Sequence, residues 1–389
     1  MYFPLLAPQV LTNVISQQAA VSEWLLNLFA VNMGTENDDP LFDPDNDIRK
    51  GENCLNFGHG RQGQFNVMNN SRKVAKGRSP GTAAAQSANA PIGVFPFTYP
   101  RMYDSIKLLA ETFHNLGLID NPAQRDIAGR RMIELQTKVK AQECANWRKA
   151  ALIGSLRGSL YAKQNGESWD YTFNPSGATF EVSNQIPAAN KTALNMLGAG
   201  DILGASWATA TTNINDHLDK INEAFQRKTG GALRAIICPS NVWNAVINND
   251  FIRANAGIAN APFVDLSHEV PTKLATRAKN VKIARLIANP QLTFYVTDEV
   301  VELADGVQKI VPNGKAIFLG FEPDDGTVAM YEGSEPVAEY DGGPKTVRTG
   351  FSSWAVERSN PTATEVYFLD NAMPVIHVPE AVAIGDVIP

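Results

Sequence analysis

Two glycine motifs, an acidic triplet, five histidines and three cysteines are the residues whose types and spacing could do chemistry in this chain. Gly58-His59-Gly60-Arg61-Gln62-Gly63 matches GxGxxG, the turn that cradles a dinucleotide pyrophosphate. That use needs a buried strand before the motif and a helix after it. Here Asn53-Cys54-Leu55-Asn56-Phe57 precedes and an asparagine-rich, basic stretch follows, so no nucleotide site is expected. Gly77-Arg78-Ser79-Pro80-Gly81 matches the GxSxG nucleophile elbow, but Gly81 and the featureless run behind it argue against the helix that a serine hydrolase needs. Asp43, Asp45 and Asp47 open like a calcium loop. Ile48 stands where its glycine belongs and Cys54 where its bidentate acid belongs, which excludes an EF-hand and leaves only weak cation binding. His59, His114, His217, His268 and His377 are scattered, and none belongs to an HExxH or Cys/His cluster. Cys54, Cys144 and Cys238 are odd in number and far apart, which argues for a reducing compartment and inert thiols rather than a disulfide framework. No catalytic constellation, cofactor or metal is expected.

The elements that would position any site belong to an ordered chain. With 389 residues, 44% of them hydrophobic, it can bury a large core. A charged fraction of 19% and the absence of single-letter tracts exclude collagen, a coiled coil and wholesale disorder. The first 22 residues carry no charged side chain, but they contain Pro4, Pro8, Gln9, Asn13, Gln17 and Gln18 and no basic n-region, so neither a signal peptide nor a membrane span is expected. The net charge of -6 hides a strong asymmetry. Residues 1–48 hold seven acids and no base, giving -7, whereas residues 49–101 hold eight bases against Glu52, giving +7; the remainder is therefore -6. Such neighbouring blocks suit complementary surfaces, within one chain or between copies, and equally suit solvated surface.

Apolar residues at near-helical spacing from Gln9 to Val31, without a base on the polar face, predict an amphipathic segment packed on protein rather than on a membrane. Residues 61–100, with five bases, no acid and four prolines, read as a long structureless excursion. Asn121-Pro122 starts a helix expected to run to about Arg157, with Ala128, Met132, Leu135 and Val139 on one face and weak points at Gly129 and Gly154. Its length would be about 54 Å. Asp104–Leu116 also reads as helical. Hairpins are expected around Asn174-Pro175-Ser176-Gly177, joining Trp169–Phe173 to Ala178–Val182, and around Asp305-Gly306. A helix is expected over Asn213–Lys228, a buried strand over Leu233–Cys238, a short helix capped by Ser240, and late strands over Lys315–Gly320 and Thr364–Leu369. Short strands mixed with helices, without βαβ repeats, predict an α+β fold.

In this order the pieces resemble the lambda-type major capsid proteins of tailed bacteriophages, the capsid protein E family. The likeness rests on Glu23-Trp24-Leu25-Leu26-Asn27-Leu28-Phe29, on Ala304-Asp305-Gly306-Val307-Gln308-Lys309 leading to Lys315-Ala316-Ile317-Phe318-Leu319-Gly320, and on the run from Thr364 to Val378. The resemblance implies the Hong-Kong-97-type capsid fold. Its parts would be an arm (1–48), an extended loop (49–100), a peripheral domain (101–190) with a spine helix (122–157), an axial domain (191–345), a return to the peripheral domain (346–375) and a carboxy-terminal segment (376–389). It makes the chain a non-enzymatic major capsid protein that assembles as hexamers and pentamers into an icosahedral shell. Candidate intersubunit contacts are Trp24, Leu25, Leu28 and Phe29 of the arm and Arg72, Lys73, Lys76, Arg78, Phe95 and Phe97 of the loop. Implied partners are further copies of the chain, a separate scaffolding protein, a portal, a decoration protein and packaged double-stranded DNA bound without sequence specificity. Its place would be the virion, assembled in the bacterial cytoplasm. The alternatives are a cellular nanocompartment shell of the same fold and a soluble hydrolase using Ser79. The helical reading of Asp104–Leu116 departs from the family, whose extended loop returns there as strand.

Overall fold

The computed structural model describes residues 23–31, 52–59, 62–68, 92–98, 102–109, 122–157, 161–164, 167–170, 203–254, 264–265, 281–286, 289–303, 306–338, 345–359 and 362–388. In chain order the elements are α1 (Trp24–Leu28), β1 (Cys54–His59), β2 (Gln62–Met68), β3 (Ile92–Thr98), β4 (Met102–Leu109), α2 (Pro122–Arg157), β5 (Tyr161–Gln164) and β6 (Glu167–Asp170). Next come α3 (Ile214–Thr229), β7 (Ala235–Cys238), α4 (Ser240–Ile247), α5 (Asp250–Ala254), β8 (Val264–Asp265), β9 (Val281–Leu286) and β10 (Asn289–Thr297). The chain closes with β11 (Val300–Leu303), β12 (Gly306–Lys309), β13 (Lys315–Leu319), β14 (Val328–Ala338), β15 (Lys345–Thr349), β16 (Ser352–Ser359), β17 (Thr362–Asp370), β18 (Ala372–Ile376) and β19 (Val382–Asp386). This is the α+β class that the sequence predicts.

A six-stranded sheet in the order β19-β13-β7-β10-β9-β8 divides two cores. Its central strands alternate strictly, as the two-residue repeat of a strand requires. Ile236, Phe294 and Phe318 point into one cluster with Leu218, Ile221 and Phe225 of α3. Ile237, Tyr295 and Ile317 point into the other, which contains α1 and the second half of α2. α3 forms where its sequence directs. The Asn213 side chain accepts from the Asp216 N–H at 3.3 Å, and Gly230, at φ +78°, supplies the left-handed residue that stops the helix.

A second sheet is built on β14, which pairs with β1 in parallel and with β18 and β15 antiparallel. A third runs β16-β17-β4. α2 is continuous for 36 residues, through both Gly129 and Gly154, and begins at the expected proline. Among the described residues no helix is long and apolar enough to cross a membrane.

Three expectations need correction, and a fourth lies largely outside the described residues. The stretch 61–100 is not structureless at its ends: β2 and β3 pair antiparallel from Gln62↔Thr98 to Met68↔Ile92. The alternation Gln64, Phe65, Asn66, Val67 is the strand signal there. Asp104–Leu109 is strand rather than helix, because β4 pairs along its whole length with β17 and Tyr103 stacks on Trp354 and Tyr367 at 6.2 and 5.6 Å between ring centroids. Tertiary pairing overrides the local helical pattern. Trp169 and Asp170 lie in β6, which pairs with the upstream β5; the rest of the hairpin expected around Asn174–Gly177 lies outside the described residues. Ser240 is the first residue of α4 and not its cap; its N–H donates to Asp298 Oδ1 at 3.4 Å, so an acid from β10's end supplies the acceptor.

Trp207 and His217 give this fold a pH signature. The Trp207 Nε1–H donates to His217 Nδ1 at 3.0 Å, which requires an unprotonated ring nitrogen. Burial, helped by Lys220, lowers the His217 pKa below its ordinary 6.5. A depressed folded-state value means that the neutral ring's contribution is complete above about pH 6.5 and is lost as the pH falls through the lower folded value. Trp207 fluorescence should therefore report an acid-side loss of stability in that window, and His217→Gln should abolish the step; a step that survives the substitution would belong to another group.

Candidate assembly interface

The second half of α2 buries Ala141, Cys144, Ala145, Leu152, Ile153 and Leu156 at helical spacing, and Arg148 and Lys149 fall on the same stripe. Two successive cations inside an apolar stripe must be neutralised there. Arg148 Nε and Nη2 donate to the two oxygens of Asp370, both at 2.7 Å, and Nη2 also reaches Glu332 Oε1 at 2.8 Å. The planar guanidinium fork suits this two-point contact as an ammonium would not. Burial opposes the charge on Arg148, yet Asp370 and Glu332 outweigh it and hold the guanidinium ionised well beyond its ordinary range. Burial likewise pushes the Asp370 carboxyl up, with Arg148 pulling against it.

Glycine is required beside this cluster. Gly350 has φ +62°, and a Cβ there would stand 2.5 to 2.7 Å from the Glu332 carboxylate atoms. Its N–H donates to Gly333 O at 3.1 Å, so β14 and the turn after β15 close directly over the ion pair.

Lys149 faces another way. Its ammonium pairs with Glu299 at 2.5 Å and with Glu23 at 3.1 Å. Trp24 Nε1 donates to the second Glu299 oxygen at 2.6 Å, and Gln142 donates to Glu23. One turn of α2 is thus fixed to β14 and β17 by Arg148, and to α1 and the β10–β11 turn by Lys149.

The arm residues expected between subunits sit on this junction. Trp24, Leu25, Leu28 and Phe29 are all buried, in one cluster with α2 and the six-stranded sheet. Within the single chain they are covered by its own core. Arg72, Lys73, Lys76 and Arg78 lie outside the described residues, as do the GxSxG motif, the acidic triplet, His114 and His268. Phe95 and Phe97 lie on β3, opposite Phe65 and Gly63 in register. Of the GxGxxG residues, Gly58 and His59 end β1 and Gln62 and Gly63 open β2, so a strand stands where the motif needs a helix. Cys144 and Cys238 are buried, and burial raises both thiols far above their ordinary value.

Two described residues in the first half of α2 differ from the buried stripe of the second. Leu135 and Val139, which the sequence places on one apolar face, are each 58% exposed. Val307 on the β11–β12 hairpin and Val347 on β15 are exposed as well.

No family model and no curated protein matches the chain. Solved structures do. A protein assigned as the capsid protein of a prophage of E. coli CFT073 is 14% identical, with a TM-score of 0.47 over 75% of this chain and 78% of that one. A phage-related protein of Bordetella bronchiseptica RB50 is 11% identical, with a TM-score of 0.49 over 96% of both chains. The mature capsid of bacteriophage PhiM1 contributes a third, 12% identical with a TM-score of 0.38 over 92% of both.

Sequence reasoning did not single out Arg148, Lys149, Glu23, Glu299, Glu332 or Asp370. The signal was present in part, since two cations interrupt an otherwise apolar 3–4 repeat. Asp370→Asn should destabilise the subunit by about 3 to 5 kcal/mol, because it removes the two-point carboxylate and leaves the buried guanidinium with Glu332 as its one charged partner, and Glu332→Gln by less, because the two-point pair survives. Gly350→Ala should cost at least about 1 to 3 kcal/mol from backbone strain alone. Urea denaturation of the three variants gives the order; equal midpoints for Asp370→Asn and wild type would remove this cluster from the stability of the fold.

Proposed function

We propose that this chain is the major capsid protein of a tailed double-stranded DNA bacteriophage, with the Hong-Kong-97-type fold, assembling as hexamers and pentamers into an icosahedral shell. One observation carries the reading: among the described side chains of the longest helix the buried ones lie in its second half, with Leu135 and Val139 exposed before them, while β2 and β3 pair with each other as a two-stranded sheet. A two-stranded hairpin is marginal in water and needs a surface to lie on. An apolar helix face with Leu135 and Val139 one turn apart is such a surface, and copies of one chain supply both halves of the contact. Burying those two side chains would stabilise each contact by roughly 1.5 to 3 kcal/mol per residue, repeated over every subunit.

In this reading residues 1–48 form the arm, 49–100 the extended loop, 101–190 and 346–375 the peripheral domain, 191–345 the axial domain and 376–389 the carboxy-terminal segment. The +7 loop, through Arg72, Lys73, Lys76 and Arg78, seeks the acidic surface of a neighbour, with Phe95 and Phe97 on the same hairpin. An overall acidic shell leaves packaged DNA free to slide. Scaffolding, portal and decoration proteins are the further partners, the virion is the location, and no catalytic activity is assigned.

Purified protein viewed by negative-stain microscopy should form closed particles. Leu135→Glu with Val139→Glu, and separately Glu at all four loop bases, should abolish closure while the circular dichroism of the isolated subunit stays unchanged. Normal particles from both variants would overturn the reading. Double-stranded DNA in particles recovered from the native source supports a phage head; a protein cargo there would instead make the shell a nanocompartment.

A further inference from the structure

Where α2 meets the six-stranded sheet lies a groove of about 830 Å³. Trp243, Val281, Val296 and Val300 give it apolar walls, and Asn146 and Asn244 add carboxamides, groups that both donate and accept. The acids in its wall are engaged: Glu23 and Glu299 hold Lys149, and Asp298 accepts from Lys309 at 3.1 Å. Its two cations differ. Lys149 is neutralised by those acids, whereas Lys282 is exposed, lies with its ammonium 5.5 Å from the Trp243 ring centre, and has no ion pair among the described residues. Trp243 itself is buried with its indole N–H unpaired, a donor that is costly until an acceptor meets it. The sheet adds main-chain groups. β9 enters the groove wall with Val281 and Lys282 and pairs with β10, while β8 covers only Arg285 and Leu286 on its other side. Among the described residues, 281–284 therefore present an unpaired strand edge, the kind that an extended chain lengthens by one strand.

We propose that this groove binds an extended peptide segment of a separate protein, apolar apart from one carboxylate and laid beside the open edge of β9. The chemistry of the walls selects each part of that occupant. Its main-chain N–H and C=O groups serve the strand edge and the carboxamides of Asn146 and Asn244. Its apolar side chains cover Val281 and Val300, the latter 49% exposed. Its carboxylate meets Lys282, the cation of the wall that lacks an acid among the described residues. In an extended chain alternate side chains face the same way, so an acid flanked two residues away on each side by apolar residues presents all three to the groove at once. A small organic acid would satisfy Lys282 alone and leave the strand edge and the apolar walls uncovered. The binding belongs to one subunit and does not depend on shell formation.

Calorimetric titration of the full-length chain with acetyl-Val-Thr-Glu-Thr-Val-amide tests it, against the same peptide with lysine in place of glutamate. The glutamate peptide should bind saturably, and the lysine peptide roughly tenfold more weakly, because it sets like charges together at Lys282. Lys282→Glu should reverse that order while the circular dichroism stays unchanged, since the side chain is exposed. Val300→Ser should weaken both peptides alike, and glutarate, a dicarboxylate without peptide groups, should not displace either. A photo-crosslinker at Asn244 should capture the glutamate peptide. The proposal is overturned if neither peptide binds saturably, if the unaltered chain binds both equally, or if Lys282→Glu leaves their order as it was. Displacement by glutarate would make the groove a simple anion site, and capture of another copy of the chain at Asn244 would make it a self-association surface; either result also overturns the proposal.

Discussion

Burying two successive cations on one helix constrains everything packed around it. A buried charge costs several kcal/mol in lost hydration, and it is tolerated only where partners are already in place with good geometry. Arg148 therefore dictates where Asp370 ends β17 and where Glu332 sits in β14, and Glu332 in turn dictates a glycine at position 350. Lys149 dictates that Glu23 and Glu299 meet across residues far apart in sequence. Rotating α2 by one residue, about 100°, would bring both cations against the wrong layer and strand four carboxylates. Apolar contacts alone would not specify the rotation so sharply, because Ala, Cys, Leu and Ile side chains exchange places along the stripe at lower cost.

The six-stranded sheet carries that constraint into the rest of the molecule. Its central strands are buried on both faces, so each residue must serve one core or the other and a one-residue slip would exchange them. On the α3 side the core is apolar, with the Trp207–His217 bond as a polar exception. On the α1 and α2 side it is bounded by the charged junction. Register in one core thus fixes register in the other, and the ionic cluster sets the position of both.

What was legible in the sequence follows from the range of the forces involved. α2, α3 and β13 were readable because caps, prolines and apolar periodicity act within a few residues, as Asn121-Pro122 and Asn213 with Gly230 show. β4 was misread because its strand state comes from β17, more than 250 residues later, and from the Trp354 and Tyr367 rings. β14, the hub of the second sheet, was not foreseen, since Val328–Ala338 carries Gly333 and Pro336 within the strand. The charged junction was hidden for the same reason as β4. Each of its acids looks like a surface residue until the chain is folded, and only Arg148 and Lys149 interrupt a local pattern.

The placement of charge separates folding from association. Arg148 and Asp370 are wholly buried, and ions in solution screen such pairs weakly. The loop bases belong to a +7 stretch whose partners would be surface acids, and exposed charges are screened beyond about 10 Å at 0.1 M salt. In the proposed shell, the subunit would keep its internal geometry across ionic conditions that strengthen or weaken its contacts with other copies. The uncovered apolar residues, Leu135 and Val139 among them, are individually too small a surface to hold two copies together. Repeated around the proposed closed assembly they would suffice, because each copy would then be held by several such contacts at once. In that proposed assembly, reversible, weak contacts would let misplaced copies leave before closure, whereas one strong contact would trap them.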